Sequence, residues 1–204
     1  MEYIVTDYKK SGGGRIELCL NETIKLWLYV KEARQFSIEE GAGLTEEQYQ
    51  QLLHKVIGTR AVKRAMHLLE RQDRTEYQLR TKLLQSAYPE EAIEEAISYV
   101  KGYHYLDDER YARNYISCHQ KQRSRRRLQA DLIKRGVAKN TVEFCLEEEF
   151  CSDEREQIAE LLKKKQFETD TADEGEFRRM YQFLLRRGFR SSDILSVMRS
   201  VREP

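Results

Sequence analysis

Three positions, Ala87, Gly136 and Gly188, constrain this chain more than any others, because the residues around them repeat. Eight residues before each stand Leu79, Leu128 and Met180; four before, Leu83, Leu132 and Leu184; three before, Leu84, Ile133 and Leu185. One residue after come Tyr88, Val137 and Phe189, six after Ile93, Val142 and Ile194, ten after Ile97, Leu146 and Met198. Breaks at 87, 136 and 188 give periods of 49 and 52 residues. A helix, a short break and a second apolar helix recurring at such a period describe a tandem array of helical units, each burying its apolar face against its neighbours. The expected product is mainly α: three three-helix repeats in an elongated, curved array, with a long concave surface suited to a long ligand.

Helix starts and stops fill in the repeats. Ala61, Ala65, Leu68 and Leu69 mark a first helix, Thr75 with Gln78 caps a second, and Pro89 opens a third carrying Ile93, Ala96, Ile97 and Val100. In the second repeat Asp107 starts a helix with Tyr111, Ala112, Tyr115 and Ile116 on one face, Ser124 begins the next, and Asn140 with Glu143 caps the third. The last repeat starts near Ser152 with Ile158, Leu161 and Leu162, crosses the loop Gln166 to Asp173, resumes with Phe177 and Met180, and ends on Ile194, Val197, Met198 and Val201.

The first 57 residues differ in kind. Ile16, Leu18 and Leu20 alternate, as do Ile24, Leu26, Leu28 and Val30, and the Asn21-Glu22 link between them predicts a β-hairpin. Tyr3 to Val5 adds a third strand across Ser11 to Gly14, and Phe36-Ser37-Ile38 a fourth. Trp27 falls on the face opposite Leu26 and Leu28. Thr45 and Gln48 then cap a helix carrying Tyr49, Leu52, Leu53, Val56 and Ile57, which Gly58 closes. The expected divisions are a β-rich extension with one helix over 1–57, then repeats over 58–105, 106–150 and 151–204.

Charge refines the picture. Charged residues make up 35% of the chain and Pro only 2 positions, which favours long solvated helices; the net charge is +1. That balance hides segregation. Residues 121–135 carry Lys121, Arg123, Arg125, Arg126, Arg127, Lys134 and Arg135 against Asp131, a net +6, whereas residues 141–156 carry a net −6. Arg178, Arg179, Arg186, Arg187 and Arg190 occupy the matching helix of the third repeat, and Arg71, Arg74 and Arg80 flank that of the first. Solvated helix faces are often charged, but the same sign on the same element in three repeats predicts a basic track that meets phosphates or a partner's carboxylates. The turns at Gly136 and Gly188 also fit a helix-turn-helix. Against that reading, two candidate recognition helices are acidic, with Glu90, Glu91, Glu94 and Glu95 on one and Glu143, Glu147, Glu148 and Glu149 on the other, and phosphate would repel them.

Catalytic and metal chemistry find little support. Cys19, Cys118, Cys145 and Cys151 lack ligand spacing and read as reduced thiols. His54, His67, His104 and His119 have no partner at ligand spacing, and no phosphate-loop, dinucleotide or zinc-protease motif occurs. Asp107 and Asp108 sit at a helix start, where capping explains them better than metal binding. Tyr103 and Tyr105 could stack on bases, although packing between repeats is the commoner use. No signal peptide or membrane span is evident, so a cytoplasmic, non-enzymatic monomer without metal or cofactor is expected.

Three stretches carry a family resemblance. They are Arg71-Gln72-Asp73-Arg74-Thr75-Glu76-Tyr77-Gln78-Leu79, the run from Gly102-Tyr103-His104-Tyr105-Leu106 to Asp107-Asp108-Glu109-Arg110-Tyr111-Ala112, and Lys121-x-x-Ser124-x-x-x-Leu128-x-x-x-Leu132-x-x-Arg135-Gly136-Val137. Together they strongly resemble the RecX regulatory family over roughly residues 60–200. The first arginine stands one residue early and Ser124 replaces the usual glycine, which supplies a helix cap. The resemblance implies a modulator lodged in the groove of the RecA filament on single-stranded DNA, suppressing ATP hydrolysis and strand exchange. Some members of the family bind DNA directly, and weak, non-specific contact is expected here. A helix-turn-helix transcriptional regulator is the alternative.

Overall fold

The computed structural model describes residues 2–168 and 172–200; Val201 and part of the loop Gln166 to Asp173 lie outside the described residues. The chain forms two compact units, Met1–Asp107 and Asp108–Pro204.

In the first unit the predicted hairpin forms from β2 (Arg15–Leu20) and β3 (Ile24–Tyr29). Its link works because Asn21 and Glu22 both take positive φ, 49° and 62°, the turn sense that matches strand twist. Asn21 also accepts a 2.8 Å hydrogen bond from the Ile4 amide through Oδ1. β1 (Glu2–Ser11) pairs with β2, and β4 (Gly43–Thr45) pairs with β1's other edge, giving an antiparallel sheet of order β3-β2-β1-β4.

The fourth strand is therefore not Phe36 to Ile38. Val30, read above as strand, begins helix α1 (Val30–Gln35), and the three residues are its closing turn. Ser37 takes φ 52°, its amide reaches Arg34 O, and Ile38 N reaches Ala33 O at 2.9 Å. This is a Schellman closure, whose apolar-polar-apolar sequence imitates strand alternation.

Thr45 and Gln48 cap α2 (Glu46–Gln51) as predicted. Gly58, however, does not end that helix. The backbone continues through a π-helical stretch, Leu52–Gly58, into α3 (Thr59–Arg71) with Gly58 at φ −60° and ψ −49°. Leu53, Ile57, Ala61 and Ala65 are all buried at intervals of four. In a 3.6-residue turn that interval would rotate each in turn off the core; the wider i→i+5 turn absorbs the excess. The β-rich front and the first repeat consequently share one hydrophobic core, from Val5 to Leu106, so the expected border at 57/58 falls within a continuous helix.

The first repeat continues with α4 (Glu76–Gln85) and α5 (Glu90–Gly102). The second unit holds α6 (Asp108–His119), α7 (Arg125–Lys134) and α8 (Lys139–Glu149), then α9 (Glu154–Lys164), α10 (Glu174–Arg186) and α11 (Ser191–Ser200). Each of these two repeats has its own core, one built on Ile116, Leu128, Leu132 and Val142, the other on Ile158, Leu184, Phe189 and Ile194. Asn140 is not a cap: Val142 N bonds Ala138 O at 3.0 Å, so α8 starts at Lys139 with Ala138 as N-cap. Asp153 caps α9, accepting from the Arg155 amide at 2.7 Å.

The repeat itself has one physical cause. Ala87, Gly136 and Gly188 all take positive φ, at 58°, 89° and 88°. Their amides bond Leu84, Ile133 and Leu185 carbonyls, and Tyr88 and Val137 amides bond back to Leu83 and Leu132. The aligned residues are thus parts of a helix closure on a left-handed residue, a full Schellman motif after the first two middle helices and the same turn at Gly188 after the third. Leu83, Leu132 and Leu184 are fully buried beneath Tyr88, Val137 and Phe189, whereas Leu84 and Ile133 stay about half exposed.

Candidate functional site

The basic track centres on the middle helices, and α7 shows how it is positioned. Ser124 is fully buried and caps α7, accepting from the Arg127 amide at 3.1 Å. The end of α10 sits on this cap: the Ser124 amide donates to Arg187 O at 3.3 Å, and the Arg187 guanidinium donates to Gln122 O at 2.8 Å. A Cβ on Gly188 would lie 2.5 Å from Ser124 Oγ and 2.7 Å from Arg127 Cβ, so only glycine allows this approach.

The juxtaposition gathers Arg123, Arg127, Arg186 and Arg187 around Phe183 in a cleft of about 290 Å³. Asp131 draws on two of them, meeting Arg123 at 2.7 Å and Arg127 at 3.1 Å. Tyr115 joins the cluster, its hydroxyl accepting from Arg123 at 2.5 Å and donating to Asp131 at 3.3 Å. Arg187 stacks 4.6 Å over Phe183, with its buried Nε lacking a hydrogen-bond partner among the described residues. Arg186 is exposed with no ion pair among the described residues. Four guanidinium groups against one carboxylate leave the cleft with excess positive charge, and an arginine fork can engage anionic oxygens two at a time.

The remaining candidates divide by what they already touch. Lys121, Arg126, Lys134, Arg178, Arg179 and Arg190 are exposed and form no ion pair among the described residues. Arg125 is a strut instead: its guanidinium donates to Leu146 O at 3.1 Å and its amide to Glu154 at 2.8 Å. Arg135 donates to Tyr111 at 2.8 Å and lies 4.7 Å over the Tyr115 ring. In the first repeat Arg80 binds Glu76 at 3.1 Å, Glu90 at 3.7 Å and, more closely, Glu94. Arg71 is exposed, and Arg74 is half-buried with Nε lacking a hydrogen-bond partner among the described residues.

The acidic helices are partly neutralised from within. Arg113, which sequence reasoning passed over, reaches Glu109, Glu148 and Glu149 at 2.7–2.8 Å, and these hydrogen bonds drive its pKa further up. Its signal was available, because Glu109 stands one helical turn before it. Asp107 immediately precedes α6 and Asp108 is its first residue. Tyr103 and Tyr105 are 61% and 48% exposed. Among the described residues no group of three His, Cys, Asp or Glu could hold a metal ion, and no helix is long and apolar enough to cross a membrane.

Fold and charge together define a class: tandem three-helix domains, the second and third of which concentrate arginine on their middle helices. Models of the first, second and third RecX three-helix domains match residues 61–99, 107–146 and 153–198. The chain belongs to the RecX family. A "Regulatory protein RecX" of Caldanaerobacter subterraneus is 36% identical over 159 residues, covering 77% of this chain and 78% of that one. A protein of the same name from Clostridium botulinum is 26% identical over 90% of this chain and 88% of its own. A crystal structure of regulatory protein RecX shares the fold with TM-score 0.61 at 20% identity, covering 96% of this chain and 98% of that one. RecX from Lactobacillus salivarius shares it with TM-score 0.59 at 20% identity, covering 72% and 97%.

Proposed function

We propose that this protein binds the RecA filament on single-stranded DNA and inhibits RecA's ATP hydrolysis and recombinase activity in DNA repair. Family membership supports the partner. The observation that carries the mode of binding is the convergence of Arg123, Arg127, Arg186 and Arg187 between α7 and α10, with Arg126 exposed on α7 and Arg190 exposed in the turn that follows α10. Several modest contacts from one protein add through effective concentration, so no single arginine has to be strong. No cofactor enters, and direct contact with DNA is weak and non-specific.

Duplex reading through the third helices of the repeats is disfavoured, since α5 and α8 keep Glu91, Glu143 and Glu147 exposed. The test is RecA's ATP hydrolysis on single-stranded DNA, titrated with this protein. A dose-dependent fall supports the proposal; an unchanged rate at saturating protein contradicts it.

A further inference from the structure

The first repeat departs from the pattern of basic middle helices. Arg80, the strongest candidate on α4, is held by Glu76, Glu90 and Glu94. Cations lie instead on α3, where Arg60, Lys63 and Arg64, followed by His67, keep the i, i+3, i+4, i+7 spacing of a single helical stripe. The stripe borders a groove of about 550 Å³ that is walled on its other side by Arg15, Trp27 and Tyr29 of the sheet.

The floor of this groove is already built. Trp27 is 8% exposed; the Arg60 guanidinium lies 3.6 Å and that of Arg15 4.5 Å from its ring, and its indole donates to Ser86 O at 3.0 Å. Arg60 is fixed by Glu32 at 2.7 Å and by Trp27 O at 2.8 Å. Arg15, Lys63 and Arg64 are exposed and form no ion pair among the described residues, and no carboxylate lines the groove.

We infer that this groove is a second binding face, separate from the middle helices, that takes the phosphodiester backbone of a single nucleic-acid strand. The chemistry favours a nucleic acid over an acidic protein surface. Protein interfaces are anchored on aromatic or apolar residues that enter pockets, and here the large rings of the floor are already buried, Tyr88 at 7% exposure and Trp27 at 8% beneath two guanidinium groups. Nucleic-acid interfaces are the strongly cationic ones. Exposed Tyr29 at the rim adds a surface for an unstacked base. The site does not depend on RecA.

The experiment is binding of a fluorescent oligothymidine by the full-length protein across a salt series, with R15A/K63A/R64A beside the wild type. About 0.7 of log–log salt slope accompanies each neutralised phosphate on a single strand, so the variant's slope should be shallower by roughly 2. Its affinity at low salt should drop about tenfold or more, while R15K/K63R/R64K, which keeps the charge, restores most of it. All three side chains are exposed, so circular dichroism should be unchanged. Equal slope and affinity in a folded alanine variant overturns the inference. So does loss of RecA inhibition with DNA binding intact, which would assign the groove to an acidic protein surface. Loss of DNA binding with RecA inhibition retained supports it, and leaves the middle-helix reading untouched.

Discussion

At the scale of single residues the decisive feature is the left-handed residue that closes a helix. Gly136 and Gly188 occupy it at no steric cost, but Ala87 occupies it with a Cβ, as do Ser37, His104 and Gln166 with larger side chains. Left-handed backbone costs an L-residue roughly 1–2 kcal/mol, partly offset by the extra freedom glycine has when unfolded. Ala87→Gly should therefore stabilise the protein, and Gly136→Ala destabilise it, each by about 1 kcal/mol, both read from denaturant midpoints. If both substitutions shift the midpoint in the same direction, the strain argument fails. The sequence alignment caught this motif without its cause: Leu83 with Tyr88, and Leu132 with Val137, repeat because they close one apolar contact across the turn. Phe36 to Ile38 misled for the same reason, since a three-residue alternation suits a strand and a helix closure equally.

At the scale of elements, helix spacing and caps were legible where they are local. Thr45, Thr75 and Ser124 accept from the amides three residues on, as their spacing implied. Ion pairs between helices were not, because nothing local in the sequence says that Arg80 of α4 meets Glu94 of α5, or that Arg125 reaches the end of α8. Burial alone would raise the Glu76 carboxyl, but hydrogen bonds from Lys101 and Arg80 outweigh it and hold that carboxyl below its usual 4.5; Arg80 does the same for Glu94. A carboxylate with a depressed folded pKa adds stability that is present above the unfolded value and is lost as pH falls through the folded one. The stability gap between wild type and R80A should thus be open at pH 7 and close in acid below about 4.5. A gap that persists unchanged in chemical denaturation at pH 2 would show that Arg80 acts through packing instead. The α10–α7 contact has its own test. Gly188→Ala adds both a left-handed Cβ and a clash with Ser124 and Arg127, so it should destabilise more than Gly136→Ala. Equal losses would mean that the contact adjusts freely.

At the scale of the molecule, some arginines hold the protein together and others are left to meet a partner. Sequence patterning located the basic elements but could not sort them: Arg80, Arg125 and Arg135 are engaged internally, whereas Arg126, Arg186 and Arg190 are exposed without ion pairs among the described residues. It also missed the α3 stripe, because Arg60, Lys63 and Arg64 gain meaning only when the sheet brings Arg15 opposite them. Exposed charges contribute about 0–1 kcal/mol to folding, so removing the second group should leave thermal stability nearly unchanged. The most direct measurement is inhibition of RecA's ATP hydrolysis by R126A/R186A/R190A, compared with wild type at matched thermal stability. The account predicts inhibition weakened by about tenfold or more in the concentration required, on the order of 1.4 kcal/mol of lost binding. Full inhibition by the folded triple variant at wild-type concentrations would contradict it, and would reduce the basic middle helices to solvated surface.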